Sequence, residues 1–325
     1  MAGAYAKSDW RVVDYELYSL DPPIIDPVTG TPLELRGPRP PTLNEREYFV
    51  CIGGAQTFGR FCARPYPVLL QERLGIPAVN LGRGGAGPSF FAPGNDGLLY
   101  HVNRSRFAIV QVMSGRSASN SLFSSAGLGS YVRLSDGKAL GCDEAFDRLL
   151  RHHTVDYVRR IVAETRQAWL DSFKALLRAI TVPKILCWFA MRPPRYREKY
   201  RSVASLFGDF PQLVNADMMN ELRQYADHYV VCVSRRGLPQ PLIDKRSGEP
   251  VTVHDEWGGV WRQNGYYPSP EMHVDAANRL EAICAACVAG SSHVGRGTVR
   301  TIFAWVRQRA RAGLKPAPLR TRKVS

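Results

Sequence analysis

Residues 51–60 read CIGGAQTFGR. The decapeptide overlaps the apolar run Tyr48–Ile52 and leads toward an amphipathic stretch at Tyr66–Leu74. Gly53, Gly54, Ala55, Gln56 and Thr57 therefore sit where a strand turns into a helix. Four further apolar runs have strand length: Ile76–Leu81, Phe107–Met113, Lys184–Met191 and Tyr229–Val233. Helical patterns lie between and after them, at Asp96–Val102, Asp143–His152, Val155–Ile180, Ala216–Ala226 and Pro270–Ala289. In the longest, Val158, Ile161, Val162, Trp169, Phe173, Leu176, Leu177 and Ile180 recur at helical spacing and predict one buried stripe. Almost wholly apolar strands separated by helices predict an α/β protein whose parallel sheet is covered on both faces. Right-handed crossovers then favour a doubly wound, mostly parallel, five-stranded sheet of the flavodoxin-like kind. Such sheets bind ligands beyond the carboxyl ends of their strands, where the strand order reverses. The turn after the first strand belongs to that edge.

The flanks differ from this core. Residues 20–45 are rich in proline, which suits an extended arm or small hairpin ahead of the sheet. Residues 117–141 suggest an inserted hairpin, and residues 235–268 a long excursion. The chain divides into an arm (1–45), an α/β domain (46–295) and a basic C-terminal helix and tail (296–325). Eight lysines and arginines and no acidic residue lie between Arg300 and Ser325, so this short segment supplies eight of the net +14 charges. Such a tail can contact anionic surfaces, including peripheral membrane contact, without specifying one. Cys284 and Cys287 form a C-x-x-C inside an apolar helical pattern, with no second pair to complete a metal site. No metal or cofactor is expected. No apolar run approaches the ~20 residues of a membrane span, and the opening residues show no apolar core behind a basic start. A cytoplasmic protein is expected.

Three more stretches fall at the same predicted sheet edge. VNLGRGGAGPSFF (79–91) ends the second strand, VMSGRSASN (112–120) ends the third, and NGYYPSPEMHVDAANRL (264–280) opens the last helix. Arg60, Arg64, Arg83, Arg116, Arg192, Arg195, Arg197 and Arg201 gather around these strand ends. Guanidinium forks grip sulfate, phosphate or carboxylate in pairs, so a cationic cleft is one reading; solvated loop charges are the other. Phe58, Phe90, Phe91, Tyr266 and Tyr267 flank the region and suit a sugar ring or an aromatic base. GRGGAG lacks the dinucleotide glycine spacing, and no P-loop lysine–serine pair is present.

In order and context these blocks resemble the SGNH or GDSL hydrolase superfamily, over about residues 47–290. They are also similar to a bacterial group of SGNH-like proteins with a TFGRF-type first block and a YYPSPEMH-type last block. The resemblance implies a nucleophilic serine in the first block, an oxyanion-binding glycine in the second, an asparagine after the third strand and a histidine opening the last helix. Here Ala55 stands at the serine position, and it has no lone pair with which to attack an acyl carbon. Gly54 stands where the family carries an aspartate. Gly85 matches the second-block glycine. Gly115 aligns with the asparagine, and Asn120 takes that role if the loop folds back. His273 matches the histidine, but Pro270 replaces the aspartate three residues before it, leaving Glu271 or Asp255 as candidate carboxylates. Thr57, Ser89, Ser114 and Cys51 are the available substitute nucleophiles, each without a base visible in sequence.

The expected function is therefore binding of an anionic or carbohydrate ligand at a degenerate acyl-ester site. Ala55, Gly85, Asn120 and His273 mark the old catalytic positions; Gly54, Gln56, Thr57, Arg60, Arg83, Arg116 and Arg192 are candidate ligand contacts. One alternative is an active carbohydrate esterase or acyltransferase with His273 as general base. Another is an adaptor that uses the basic tail at anionic surfaces. Nucleic acid is not an expected partner.

Overall fold

The computed structural model describes residues 9–91, 94–254 and 258–290. Among these, the strands are β1 (Leu17–Tyr18), β2 (Leu35–Arg36), β3 (Phe49–Gly53), β4 (Ala78–Gly82), β5 (Ala108–Gln111), β6 (Phe123–Ser124), β7 (Ser130–Arg133), β8 (Ala139–Gly141), β9 (Lys184–Ala190) and β10 (His228–Val233), followed by two short ribbons in the excursion. The main sheet has the order β1-β2-β4-β3-β5-β9-β10. Its five long strands are mutually parallel, with Cys51 opposite Asn80 on one side and Ile109 on the other. This is the doubly wound order expected from the apolar runs, and it reverses at β3.

The alternation along each strand builds two cores. Val50 and Ile52 face one way, with Val79, Leu81, Val110 and Trp188. Phe49 and Cys51 face the other, with Ile109, Cys187, Phe189 and Cys232. Burial on both faces is why these strands read as unbroken apolar runs. Helix α1 (Ala55–Phe58) follows β3, and α2 (Tyr66–Leu74) precedes β4; α3 (Asp96–Asn103) precedes β5. The remaining helices are α4 (Cys142–His152), α5 (Val155–Ala179), α6 (Val203–Phe207), α7 (Ala216–Leu222) and α8 (Pro270–Val288). The buried stripe of α5, including Trp169, Phe173 and Leu177, covers the first core. Leu69 and Leu70 of α2 and Met272, Ala276 and Leu280 of α8 cover the second. Thr154 caps α5 by accepting from the Tyr157 N–H, and Ser269 caps α8 by accepting from Met272, with Pro270 at the first helical position.

The proline-rich segment does more than precede the sheet. Its strand β2 pairs antiparallel with β1, which lies just ahead of it in the chain, and joins the outer edge of β4 through Arg36 and Asn80. An open parallel edge would offer unpaired N–H and C=O groups, which these short strands cover. The sheet thus gains two strands over the five expected. The inserted hairpin of residues 117–141 is the ribbon β6-β7-β8. No described helix is long and apolar enough to cross a membrane. The basic C-terminal helix and tail expected at residues 296–325 lie outside the described residues.

Candidate functional site

The β3–α1 turn is held by polar residues set inside the apolar strands. Gln111 at the end of β5 accepts through Oε1 from the Gly54 N–H at 3.1 Å and from Thr57 Oγ1 at 2.7 Å. Asn80 of β4 donates to the Thr57 carbonyl at 3.0 Å and accepts from the Gly82 N–H at 2.9 Å. The first turn of α1 lies so close to β4 that a Cβ at Gly82 would stand 2.2 Å from the Phe58 nitrogen. Thr57 is thereby a buried tie between strand and helix. Gln111 and Asn80 were missed by motif reading; a polar side chain within an otherwise buried run was the available signal.

Beyond this turn lies a cavity of about 510 Å³. Gly54, Ala55, Gln56 and Phe58 form one wall, and Arg83, Gly84 and Gly85 from the loop after β4 form the next. Ser114 and Arg116 after β5, Leu128–Ser130 and Gly141 of the ribbon, Phe210 and Gln212 after β9, and Tyr266–Tyr267 before α8 close it. These are the carboxyl ends of the parallel strands at the order reversal. Ala55 and Gly85, separated in sequence, share this cavity, together with Gly54, Gln56, Arg83 and Arg116.

Other sequence candidates are placed elsewhere. His273 is 0% exposed, does not line the cavity, and stands between the rings of Tyr66 (6.2 Å) and Phe189 (5.3 Å). Its Nδ1 accepts from the Tyr66 N–H at 3.2 Å, and burial, aided by the Arg36 charge, pulls its pKa from 6.5 to about 3. It is a neutral core imidazole packed against two aromatic rings. The spatial convergence expected of Ala55, Gly85 and His273 thus extends to the first two only. Asn120 does not fold back: its Oδ1 accepts from Leu122 and Phe123 N–H groups, and its Nδ2 donates to Thr165 Oγ1 at 3.0 Å. Of the substitute nucleophiles, only Ser114 lines the cavity. Burial raises the Cys51 thiol well above its usual range.

The cationic cleft is reduced in the same way. Arg60 is buried and grips Asp9 with two bonds (2.9 and 3.1 Å), while its Nη1 donates to Tyr267 Oη at 3.1 Å. It therefore braces one wall from behind. Arg192 is buried and donates to the carbonyls of Pro193, Asp209, Pro211 and Val214. Arg64 pairs with Glu72 on the surface. Arg83 and Arg116 do reach the cavity, but Arg83 pairs with Asp26 at 3.1 Å and Arg116 with Asp143 at 2.7 Å. A carboxylate accompanies each cavity arginine, a balance that the arginine count alone does not show.

Two buried acceptor atoms on cavity-lining residues stand out instead. Gln56 and Gln212 are 3% and 5% exposed, and neither Oε1 has a hydrogen-bond partner among the described residues. Gln212 spends its Nε2 on Tyr266 Oη at 2.9 Å. A Cβ at Gly54 would approach Gln56 Oε1 to 3.1 Å, so an aspartate at 54 would crowd the Gln56 amide. Gln212 carries no motif; its loop (GDFPQLVN) gives no signal in sequence.

Fold and cavity define an α/β protein with a ligand-sized site at the switch point of a parallel sheet. The chain belongs to the family described as Domain of unknown function (DUF6473), which matches residues 29–125 and 147–288. No curated protein matches it. Similar solved structures include a gut microbial diltiazem-metabolizing enzyme (12% identity, TM-score 0.37), with 77% of this chain and 48% of that one covered. The chain thus spans about half the length of that enzyme. Another is a carbohydrate esterase family 2 enzyme with a carbohydrate binding domain from Corynascus thermopiles (Myceliophthora fergusii), at 13% identity and TM-score 0.36, covering 80% and 71%. A third is a G-D-S-L family protein from Desulfitobacterium hafniense, at 10% identity and TM-score 0.31, covering 73% and 99%.

Proposed function

We propose that this protein has an SGNH-like fold with a degenerate acyl-ester site and binds an anionic or carbohydrate ligand in the cavity at the β3–α1 turn. The observation that carries the reading is the meeting of Ala55 with Gly85 in one cavity that His273 does not line. A methyl group occupies the nucleophile position, and acyl transfer needs both an attacking atom and a base within hydrogen-bond reach of it. What persists is a shaped site: aromatic walls from Phe58, Phe210, Tyr266 and Tyr267, and a few polar groups among glycine backbone. Its volume lies within the roughly 300–1,000 Å³ of small-molecule sites.

The test pairs two measurements on the full chain. Turnover of p-nitrophenyl acetate is expected to equal that of buffer. Titration with a panel of neutral, carboxylated, sulfated and phosphorylated sugars, followed by calorimetry, is expected to show saturable binding by at least one class. Gly129→Trp directs an indole from an open cavity wall and is expected to abolish that binding. Ester turnover that wild type shows and Gly129→Trp loses would overturn the reading, as would sugar binding untouched by the tryptophan.

A further inference from the structure

We propose that Gln56 and Gln212 are the specificity-determining residues of this cavity, and that through them it selects an uncharged, polyhydroxylated ring over an anionic one. The inference rests on the ligand-binding reading above and chooses between its two branches.

The first argument is hydrogen-bond demand. Both amide oxygens belong to cavity-lining residues and are buried without a partner among the described residues. Buried acceptors are almost always satisfied, and an orphaned one is costly. Gln212 Oε1 is the atom left over once Nε2 has gone to Tyr266 Oη at 2.9 Å. Gln56 Oε1 is accommodated because residue 54 has no side chain; a Cβ there would be 3.1 Å away. Two unpaired acceptors ask for a ligand that brings donors. Sulfate and fully ionised phosphate bring none.

The second argument is charge. The cavity arginines are each already neutralised, Arg83 by Asp26 and Arg116 by Asp143. The Asp143 side chain is 60% exposed, so an anion approaching Arg116 meets a carboxylate as well. Among the described residues, Arg116 uses Nη1 for that pair, and its Nε and Nη2 have no protein partner. A neutral hydroxyl can accept from those nitrogens and donate to a glutamine oxygen, which an anionic oxygen cannot. The rings of Tyr266, Tyr267 and Phe58 supply apolar faces for the C–H side of such a ring.

The experiment titrates the full chain with methyl glucoside, methyl cellobioside, their uronate and 6-sulfate counterparts, and the permethylated cellobioside. Neutral glycosides are expected to bind at least roughly tenfold more tightly than their anionic counterparts. The permethylated sugar keeps its acceptors and loses its donors, and it is expected not to bind. Gln56→Leu and Gln212→Leu are each expected to weaken the neutral sugar by roughly tenfold or more. Gln56→Leu removes an unpaired buried oxygen, so that unliganded variant is expected to melt no lower than wild type, whereas Gln212→Leu also loses the bond to Tyr266 Oη. A lower melting temperature for Gln56→Leu, or unchanged sugar affinity in either variant, would overturn the inference. Tighter binding of the uronates or sulfates would overturn it while leaving the ligand-binding reading in place. Failure of every sugar to bind at about 10 mM would overturn both.

Discussion

The backbone N–H of Tyr66 donates to Nδ1 of His273 at 3.2 Å, and this bond fixes the state of the histidine. An Nδ1 that accepts carries no proton, so the neutral ring holds its proton on Nε2. That nitrogen is buried and has no partner among the described residues. Burial of the ring between Tyr66 and Phe189 opposes a second proton, and the Arg36 charge adds to it.

Acid stability follows from this pair. The folded imidazole titrates near pH 3, and the unfolded one near its ordinary 6.5. Between those values the unfolded chain binds the extra proton, so stability falls as pH drops through the window. The slope from this one group is about 1.4 kcal/mol per pH unit. Urea unfolding at about pH 6 and about pH 4 is expected to show it, and His273→Asn, which keeps an acceptor for Tyr66, to remove it. Equal slopes in the two proteins would refute the assignment.

Ala55→Ser is expected to gain no esterase activity. The new hydroxyl would enter the cavity, but His273 is fully buried, does not line the cavity, and has its Nδ1 taken by the Tyr66 N–H. Without a base the serine stays protonated and a weak nucleophile. The check is p-nitrophenyl acetate hydrolysis with active-site titration for an acyl-enzyme burst. A burst in the serine variant would mean that some base reaches residue 55.

The buried Arg60–Asp9 pair ties the N-terminal segment to the wall residue Tyr267. Asp9→Ala leaves a guanidinium uncompensated at a position where neither side chain is exposed. Breaking such a pair costs about 3–5 kcal/mol. Denaturant unfolding measures the loss, and fluorescence of the wall region near Trp261, which packs 5.5 Å from the Tyr267 ring, is expected to change with it.

Gly82→Ala tests the close approach of α1 to the sheet. Its Cβ would meet the Phe58 nitrogen at 2.2 Å, against backbone that cannot rotate away. Overpacking of this kind costs about 1–3 kcal/mol, occasionally more. A melting temperature equal to wild type would show that the turn has slack.

The five parallel strands, the long helix at Val155–Ala179 and the capped helix at Pro270–Val288 were legible because each has local causes: runs buried on both faces, a 3.6-residue stripe, and a Ser–Pro helix start. The edge strands at Leu17–Tyr18 and Leu35–Arg36 were not, since two residues have no periodicity and their pairing depends on a distant β4. Ala55 and Gly85 were predicted to share a cavity because strand ends at a switch point must meet. His273 and Asn120 carried the same motif signal but lie elsewhere, because a motif specifies residue order and not the rotation of a helix or the path of a loop.

Residue order and hydrophobic pattern alone determined the α/β architecture and its five parallel strands, because runs buried on both faces and a 3.6-residue stripe are local properties of the chain. Tertiary structure alone decided which charges are spent and which polar atoms remain. Arg60 and Arg192 turn inward to Asp9 and to backbone carbonyls, Arg83 and Arg116 face carboxylates, and Gln56 and Gln212 keep unpaired oxygens at the cavity. The physical reason is that hydrogen bonding and ion pairing are settled between groups far apart in the chain, at distances only the folded backbone sets.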